Sequence, residues 1–164
     1  MPTVKLIKDF DIDKDLTFDP VRKTNTGSRI IDVRGDTLYQ TGWMKVLYDV
    51  EYTICLEASK HMNILASIDE KVVDHCSDKL PFSRQEILQM YRPLLRTGDI
   101  NRFTVSPLTG TVMYDKDKNT YNKAELKTVL KPGHYIRFIF GFNKVYLNNH
   151  ELKFCLELRQ IEKA

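Results

Sequence analysis

Apolar and polar residues alternate along several parts of this chain, and a period of two is typical of β-strands with one buried face. Between residues 43 and 56 the even-numbered positions from Met44 to Leu56 are all apolar, and most residues between them are polar. This pattern predicts a half-buried strand or a bent pair of strands. Shorter strands are predicted for residues 4–7 and 29–33, and Gly35-Asp36 closes the second of them with a turn.

The same alternation returns in the last third of the chain. Strands are predicted for residues 135–142, 145–147 and 152–161, with a turn at Asn148-Asn149. Phe138, Phe140 and Phe142 share a face with Ile136, so we expect this face to lie in the core.

A further hairpin is predicted upstream of these strands. Residues 103–105 and 111–114 have strand character, and they flank Pro107 and Gly110, residues that favour turns.

Two helices are predicted in the middle of the chain. Ile64, Ile68, Val72 and Cys76 are spaced four residues apart, which places them on one face of a helix. A second helix is predicted to begin at Ser83. Its sequence, Ser83-Arg-Gln-Glu86, is that of a capping box, and Pro93 should kink or end the helix.

These elements predict one α+β domain over residues 1–164, mainly an antiparallel sheet with two helices inserted mid-chain. Residues 1–27 form a segment that we expect to be peripheral. A chain of 164 residues with 42% hydrophobic side chains is long enough to bury a core of its own.

The composition favours an intracellular protein. The N-terminal residues lack the apolar segment of a secretory signal, and no apolar run approaches the ~20 residues of a membrane helix. Cys55, Cys76 and Cys155 are widely spaced and odd in number, so we expect reduced thiols.

No catalytic or metal-binding motif is present in the sequence. The acidic segment that begins at Asp11 lacks the Gly and the Glu that an EF-hand loop needs at its sixth and twelfth positions. The four histidines show no metal-ligand spacing, and no phosphate-binding glycine loop or nucleophile motif occurs. We therefore interpret the chain as a binding protein that is not an enzyme and needs no cofactor or metal.

Charge is unevenly distributed although the net charge is only +3. Residues 1–80 hold 11 basic and 14 acidic side chains, whereas residues 81–164 hold 14 basic and 8 acidic ones. On the strands, the positions opposite the apolar face mix aromatic and cationic side chains. This outward set consists of Trp43, Lys45, Tyr135, Arg137, Lys153 and Arg159. Such a set suits single-stranded nucleic acid, but a plain polar outer face explains it equally well.

Several segments, in order, resemble the OB-fold single-stranded-DNA-binding proteins of large nucleocytoplasmic DNA viruses. Leu38-Tyr-Gln-Thr-Gly-Trp-Met44 resembles a strand of that family, and residues 68–73 and 83–95 resemble its two helices. The segments 130–137 and 156–161 are similar to its closing hairpin. Gly42 stands where the family has Pro, and Tyr146 where it tends to have Trp.

The resemblance implies an OB-like barrel that binds single-stranded DNA with little sequence preference in viral DNA replication, repair or recombination. It implies stacking on aromatic side chains and phosphate contacts from cationic ones. The expected nucleic-acid-binding residues are Arg29, Arg34, Tyr39, Trp43, Lys45, Lys116, Lys118, Tyr135, Arg137, Lys144, Tyr146, Lys153 and Arg159.

The expected partner is single-stranded DNA, with RNA as an alternative ligand and no membrane. A second copy of the chain or a replication protein could join the complex. The expected location is the host cytoplasm (a viral factory) or the nucleus, with packaging in the virion as a further option. The alternative function is a non-enzymatic virion structural or protein-interaction module.

Overall fold

The computed structural model describes residues 3–164, which form thirteen strands and four α-helices. The strands, β1 to β13 in order, are Val4–Leu6, Phe18–Lys23, Arg29–Val33, Leu38–Gln40, Met44–Lys45, Ile54–Glu57, Tyr91–Arg92, Leu95–Arg96, Arg102–Val105, Val112–Tyr114, Thr120–Tyr121, Tyr135–Asn148 and Glu151–Lys163. The helices, α1 to α4, are Ile12–Asp15, Met62–Lys79, Arg84–Met90 and Leu126–Val129. None of these helices has the length and apolarity that crossing a membrane requires.

The centre of the fold is a long antiparallel hairpin made of β12 and β13. Its turn follows Asn148, and Asn149 adopts a left-handed φ of 52°, which Asn tolerates better than most residues. The edge of β12 that faces away from β13 pairs with three short strands in succession: β5 at residues 135–136, β4 at residues 139–141 and β3 at residues 144–147. The expected core face is confirmed for Ile136, Phe138 and Phe140, which are each at most 2% exposed, whereas Phe142 is partly buried at its border.

A second, three-stranded sheet has the order β6-β9-β8. The two sheets meet where Val46, next to β5, forms an antiparallel bridge with Leu56 in β6. The strands β13-β12-β5-β6-β9 thus follow one another around most of a barrel. Phe103 of β9 stacks on Phe138 of β12 across its interior, with ring centres 5.9 Å apart.

The fold is therefore α+β, mainly β and OB-like, as expected, with two helices inserted mid-chain. The segment 43–56 is a bent pair of short strands. The turn between them leaves Tyr48 and Tyr52 exposed, although the alternation placed both residues on the apolar face. The capping box at Ser83 is present, and α3 ends at Met90, three residues before Pro93.

The predicted hairpin of residues 103–114 is wrong. Strand β9 pairs with β6 and β8, whereas β10 pairs with β11 and runs parallel to β13. Local alternation identified both strands but carries no information on which strand each one meets.

Residues 3–27 are integrated in the fold, although the sequence suggested a peripheral segment. Strand β1 pairs with β4, and β2 pairs with β3. Ile7 and Leu16 belong to the same buried cluster as the core residues of the hairpin. The division of the chain into a single domain remains a prediction.

Two sets of polar contacts hold in place the segments on which candidate binding residues lie. In α2, Asp69 accepts hydrogen bonds from the Tyr91 hydroxyl (2.6 Å) and from the backbone N–H groups of Leu94 (2.8 Å) and Leu95 (3.0 Å). Burial raises the pKa of the Asp69 carboxyl above its usual value. This carboxyl thereby fixes the segment that joins β7 to β8.

The second contact holds the segment between β4 and β5. The N–H of Gly42 donates to Nε2 of His61 at 3.1 Å, so this ring nitrogen must be unprotonated. Burial, helped by the charge of Lys60, lowers the pKa of His61. Next to Gly42 in the same segment, the buried Thr41 hydroxyl accepts a hydrogen bond from the N–H of Phe138 in β12.

We expect Asp69→Ala to destabilise the protein by about 2–4 kcal/mol, because three donors in a largely buried site lose their acceptor. Asp69→Asn should destabilise the protein less than Asp69→Ala, since its side chain keeps one carbonyl oxygen as an acceptor. Urea unfolding followed by circular dichroism would measure both losses. As a control, Asp74→Ala on the same helix removes only an exposed ion pair with Arg84 and should cost less than about 1 kcal/mol. Equal stability of Asp69→Ala and the wild type would contradict this role.

We also expect part of the acid sensitivity of the protein to come from His61. A lowered pKa means that the folded state favours the neutral ring, so its stabilisation is complete above the unfolded pKa of about 6.5 and is lost as the pH falls below it. One proton contributes at most about 1.4 kcal/mol per pH unit.

His61→Gln should therefore show a smaller fall in the free energy of unfolding between pH 7.5 and 5.5 than the wild type. His75 and His134, whose pKa values burial also lowers, are the same in both proteins and cancel in the comparison. Identical pH profiles for the two proteins would exclude His61 as the titrating group.

Candidate nucleic-acid interface

The structure brings four of the predicted residues together at one end of the hairpin. Strand β5 pairs with the start of β12, which places Lys45 directly opposite Tyr135. Trp43 precedes β5, and the guanidinium carbon of Arg137 lies 4.6 Å from the centre of its ring. We call Trp43, Lys45, Tyr135 and Arg137 the outer face.

Within the outer face, the exposed groups are Tyr135, which is 48% exposed, and Lys45. Arg137 is already engaged, because its Nε donates to the Glu162 carboxylate at 2.8 Å while its plane covers Trp43. As far as contacts within residues 3–164 go, the outer face can therefore offer one aromatic surface and one free cation without rearrangement.

Three further predicted residues lie at the other end of the hairpin. Tyr146 and Lys153 are opposite each other in β12 and β13, and the Lys144 ammonium lies 5.7 Å from the centre of the Tyr146 ring. Tyr135 and Tyr146 are eleven residues apart on one strand, a contour distance of about 35 Å. The outer face and this second group are therefore separate.

The remaining predicted cations are dispersed. Arg34 and Arg159 form exposed ion pairs with Asp19 and Glu157. The guanidinium of Arg29 lies 5.9 Å from the centre of the Phe82 ring. Lys116 and Lys118 are exposed in the turn between β10 and β11. No geometry of the described residues joins these five side chains into one surface.

Tyr39 was wrongly predicted to stack on a base. It is 1% exposed and packs edge-to-face against Phe10 with ring centres 5.2 Å apart. Burial, together with the neighbouring Asp15, raises the pKa of its hydroxyl to about 12. Strand β4 has three residues, too few for the alternation to reveal that Tyr39 faces the core opposite Phe140.

A groove that the sequence did not predict lies where the barrel is incompletely closed. Strand β13 pairs with β7 at residues 152–153 and with β10 at residues 160–162, and no described strand pairs with that edge between them. Strand β9 faces this gap, and the resulting groove has a volume of about 580 Å³. Four cationic side chains line it, and we call it the arginine groove: Arg92, Arg96, Arg102 and Lys153.

The positive charge of the arginine groove is only partly compensated. Arg96 and Arg102 are directly opposite each other in the β8–β9 pair, an arrangement of like charges that destabilises a sheet. Neither belongs to an ion pair within residues 3–164. Glu57 is opposite Arg102 on β6, but its carboxylate accepts hydrogen bonds from Ser59.

The other two cations share one carboxylate. Glu151 lies 2.6 Å from Arg92 and 3.0 Å from Lys153. Asp69 holds the Tyr91 hydroxyl before Pro93 and the backbone N–H groups of Leu94 and Leu95 after it, so the segment that carries Arg92 and Arg96 is anchored to α2. The groove thus presents an excess of positive charge on a well-supported backbone.

The arginines were missed for a definable reason. The alternation Arg102-Phe103-Thr104-Val105 does mark Arg102 as facing away from the core. Arg92 and Arg96 carried no such signal, because Tyr91, Leu94 and Leu95 continue the apolar spacing of the preceding helix. The groove exists only because strands distant in sequence meet.

Polar and sulfur-containing side chains complete the lining of the groove. The hydroxyls of Thr53, Thr104 and Ser106 are among the lining groups, and burial raises the pKa of the Cys155 thiol, which also lines the groove. Residues 3–164 contain no group of three or more His, Cys, Asp or Glu side chains placed to hold a metal ion.

The sequence matches no family model and no curated protein. Among solved structures, the chain is similar to the single-stranded DNA-binding protein from bacteriophage Enc34, at 14% identity and a TM-score of 0.50 over 90% of this chain and 89% of that one. A second structure of the Enc34 protein, in complex with single-stranded DNA, gives 12% identity and a TM-score of 0.50 over 90% and 95% of the two chains. At such low identity these similarities show a shared fold, which spans nearly the whole of both chains.

Proposed function

We propose that this protein binds single-stranded DNA with little sequence preference and that the arginine groove is its main contact with the sugar–phosphate backbone. The observation that carries the proposal is the pair Arg96 and Arg102, two like charges held face to face without an ion-pair partner in the described chain. A bound phosphate would relieve their repulsion, and guanidinium groups suit phosphate oxygens by shape and charge.

Two further observations support this function. The fold is shared with a phage protein whose structure was solved with single-stranded DNA. The outer face adds the exposed ring of Tyr135, an aromatic surface of the type on which bases of any sequence can stack. We propose that the protein acts without catalysis in the replication, repair or recombination of viral DNA inside the host cell.

We expect labelled oligo-dT to bind more tightly than duplex DNA of the same length in fluorescence anisotropy. If four phosphates are neutralised, the logarithm of affinity should fall with a slope of about −2.8 against the logarithm of salt concentration. This corresponds to a roughly 50-fold loss between 50 and 200 mM salt. Oligo-U in the same assay separates DNA from RNA preference. Failure to bind the single strand in a salt-sensitive manner would refute the proposed function.

The double variant Arg96→Gln/Arg102→Gln should weaken binding of oligo-dT at least about tenfold at low salt. It should also reduce the slope by about 1.4, since two phosphate contacts are lost. The matched control is Lys79→Gln/Arg84→Gln, which removes the same charge from two exposed, ion-paired side chains of α2 and α3. Equal losses in both double variants would mean that net charge, rather than the groove, sets the affinity.

Trp43 provides a direct test of the outer face, because it is the only tryptophan in the chain. We expect oligo-dT to change its fluorescence, since a base stacked on Tyr135 would lie beside Trp43 and the Arg137 side chain that covers its ring. Unchanged emission at saturating oligo-dT would exclude the outer face from the binding site and leave the arginine groove as the contact.

A further inference from the structure

A second positively charged hollow adjoins the arginine groove. It has a volume of about 480 Å³, and its cationic side chains are Lys123 and Lys127. Thr53 and Leu108 line the arginine groove, while their neighbours in sequence, Tyr52 and Thr109, line this second hollow. The two hollows therefore share one ridge, made by residues 52–53 and 108–109, and we call the second one the lysine hollow.

The top of the ridge carries an exposed aromatic side chain. Tyr52 is 84% exposed, more than any other large hydrophobic side chain that the structure leaves at the surface of residues 3–164. Its hydroxyl makes no hydrogen bond to another side chain or to the backbone of the described residues. Nothing in the fold explains a tyrosine at this position, because it contributes neither to the core nor to a polar network.

The lysine hollow is also suited to a polyanion. Lys123 and Lys127 are four residues apart, both exposed, and neither forms an ion pair within the described chain. The nearby Glu125 carboxylate is occupied, because it caps the turn by accepting from the N–H of Asn122. Glu51 is the one acidic residue that lines the hollow.

We propose that a single DNA strand in the arginine groove continues over the ridge into the lysine hollow, with one base stacked on Tyr52 and phosphates at Lys123 and Lys127. This inference rests on the proposed function and specifies the path of the strand. A cationic groove, an exposed aromatic ring and a second cationic hollow in succession are the elements from which sequence-tolerant single-strand sites are built.

The test compares oligo-dT of increasing length in fluorescence anisotropy at low salt. Wild-type affinity should rise with length until the strand fills both hollows. Tyr52→Ala should lower the affinity for long oligonucleotides by about 5- to 150-fold and leave the affinity for the shortest ones unchanged. Tyr52→Phe should bind like the wild type, since the ring is retained. Lys123→Gln/Lys127→Gln should reduce the salt slope for long oligonucleotides by about 1.4.

The control is Tyr48→Ala, which removes an exposed tyrosine of the same loop that lines neither hollow. Because Tyr52 is so exposed, its variants should unfold at the wild-type temperature. If Tyr52→Ala binds long oligo-dT as tightly as the wild type does, the proposed path over the ridge is overturned, while the proposed function remains intact. A wild-type protein that does not bind oligo-dT of any length would overturn both.

Discussion

Main-chain pairing along the β12–β13 hairpin is the interaction on which the rest of the structure depends. Five other strands of the larger sheet hydrogen-bond directly to one of its two edges. Its core face supplies the phenylalanines on which the smaller sheet closes. The arginine groove is a consequence of the same hairpin. It lies along the outer edge of β13, at the stretch that pairs with no described strand other than β12.

The longer elements of this fold were predictable from the sequence, because they depend on local spacing, whereas short strands such as β2, β7, β8 and β11 were not predicted. The capping box at Ser83 and the core face of β12 are confirmed, since a helix start and an alternating strand are each encoded within a few residues. The pairing of β10 was not predictable, because its partner β13 lies almost fifty residues away. Arg92 and Arg96 were missed, and Tyr39 was misjudged, for a related reason: the surroundings of each are set by strands from elsewhere in the chain.

The modest net charge of +3 says little about the candidate interface. Several cations expected to contact DNA, among them Arg34, Arg137 and Arg159, are already paired with carboxylates. Exposed pairs of this kind contribute about 0–1 kcal/mol, so a phosphate could compete for them, but they attract it weakly. Arg96 and Arg102 at the barrel gap are among the described cations that form no ion pair, so a phosphate would displace no ion-paired carboxylate there.

The hairpin contains two register shifts, one on each strand. Arg159 is the extra residue on β13, between the Ile139–Gln160 and Phe140–Leu158 pairs, and Asn143 is the extra residue on β12, between the Phe142–Leu156 and Lys144–Cys155 pairs. Each bulge reverses which face the following residues occupy. Because the two reversals offset one another, the strands meet again in phase at the turn. Single-residue insertions and deletions in this hairpin are therefore constrained. One such change would exchange the buried and solvent faces of the residues that follow it and would put that strand out of phase with its partner.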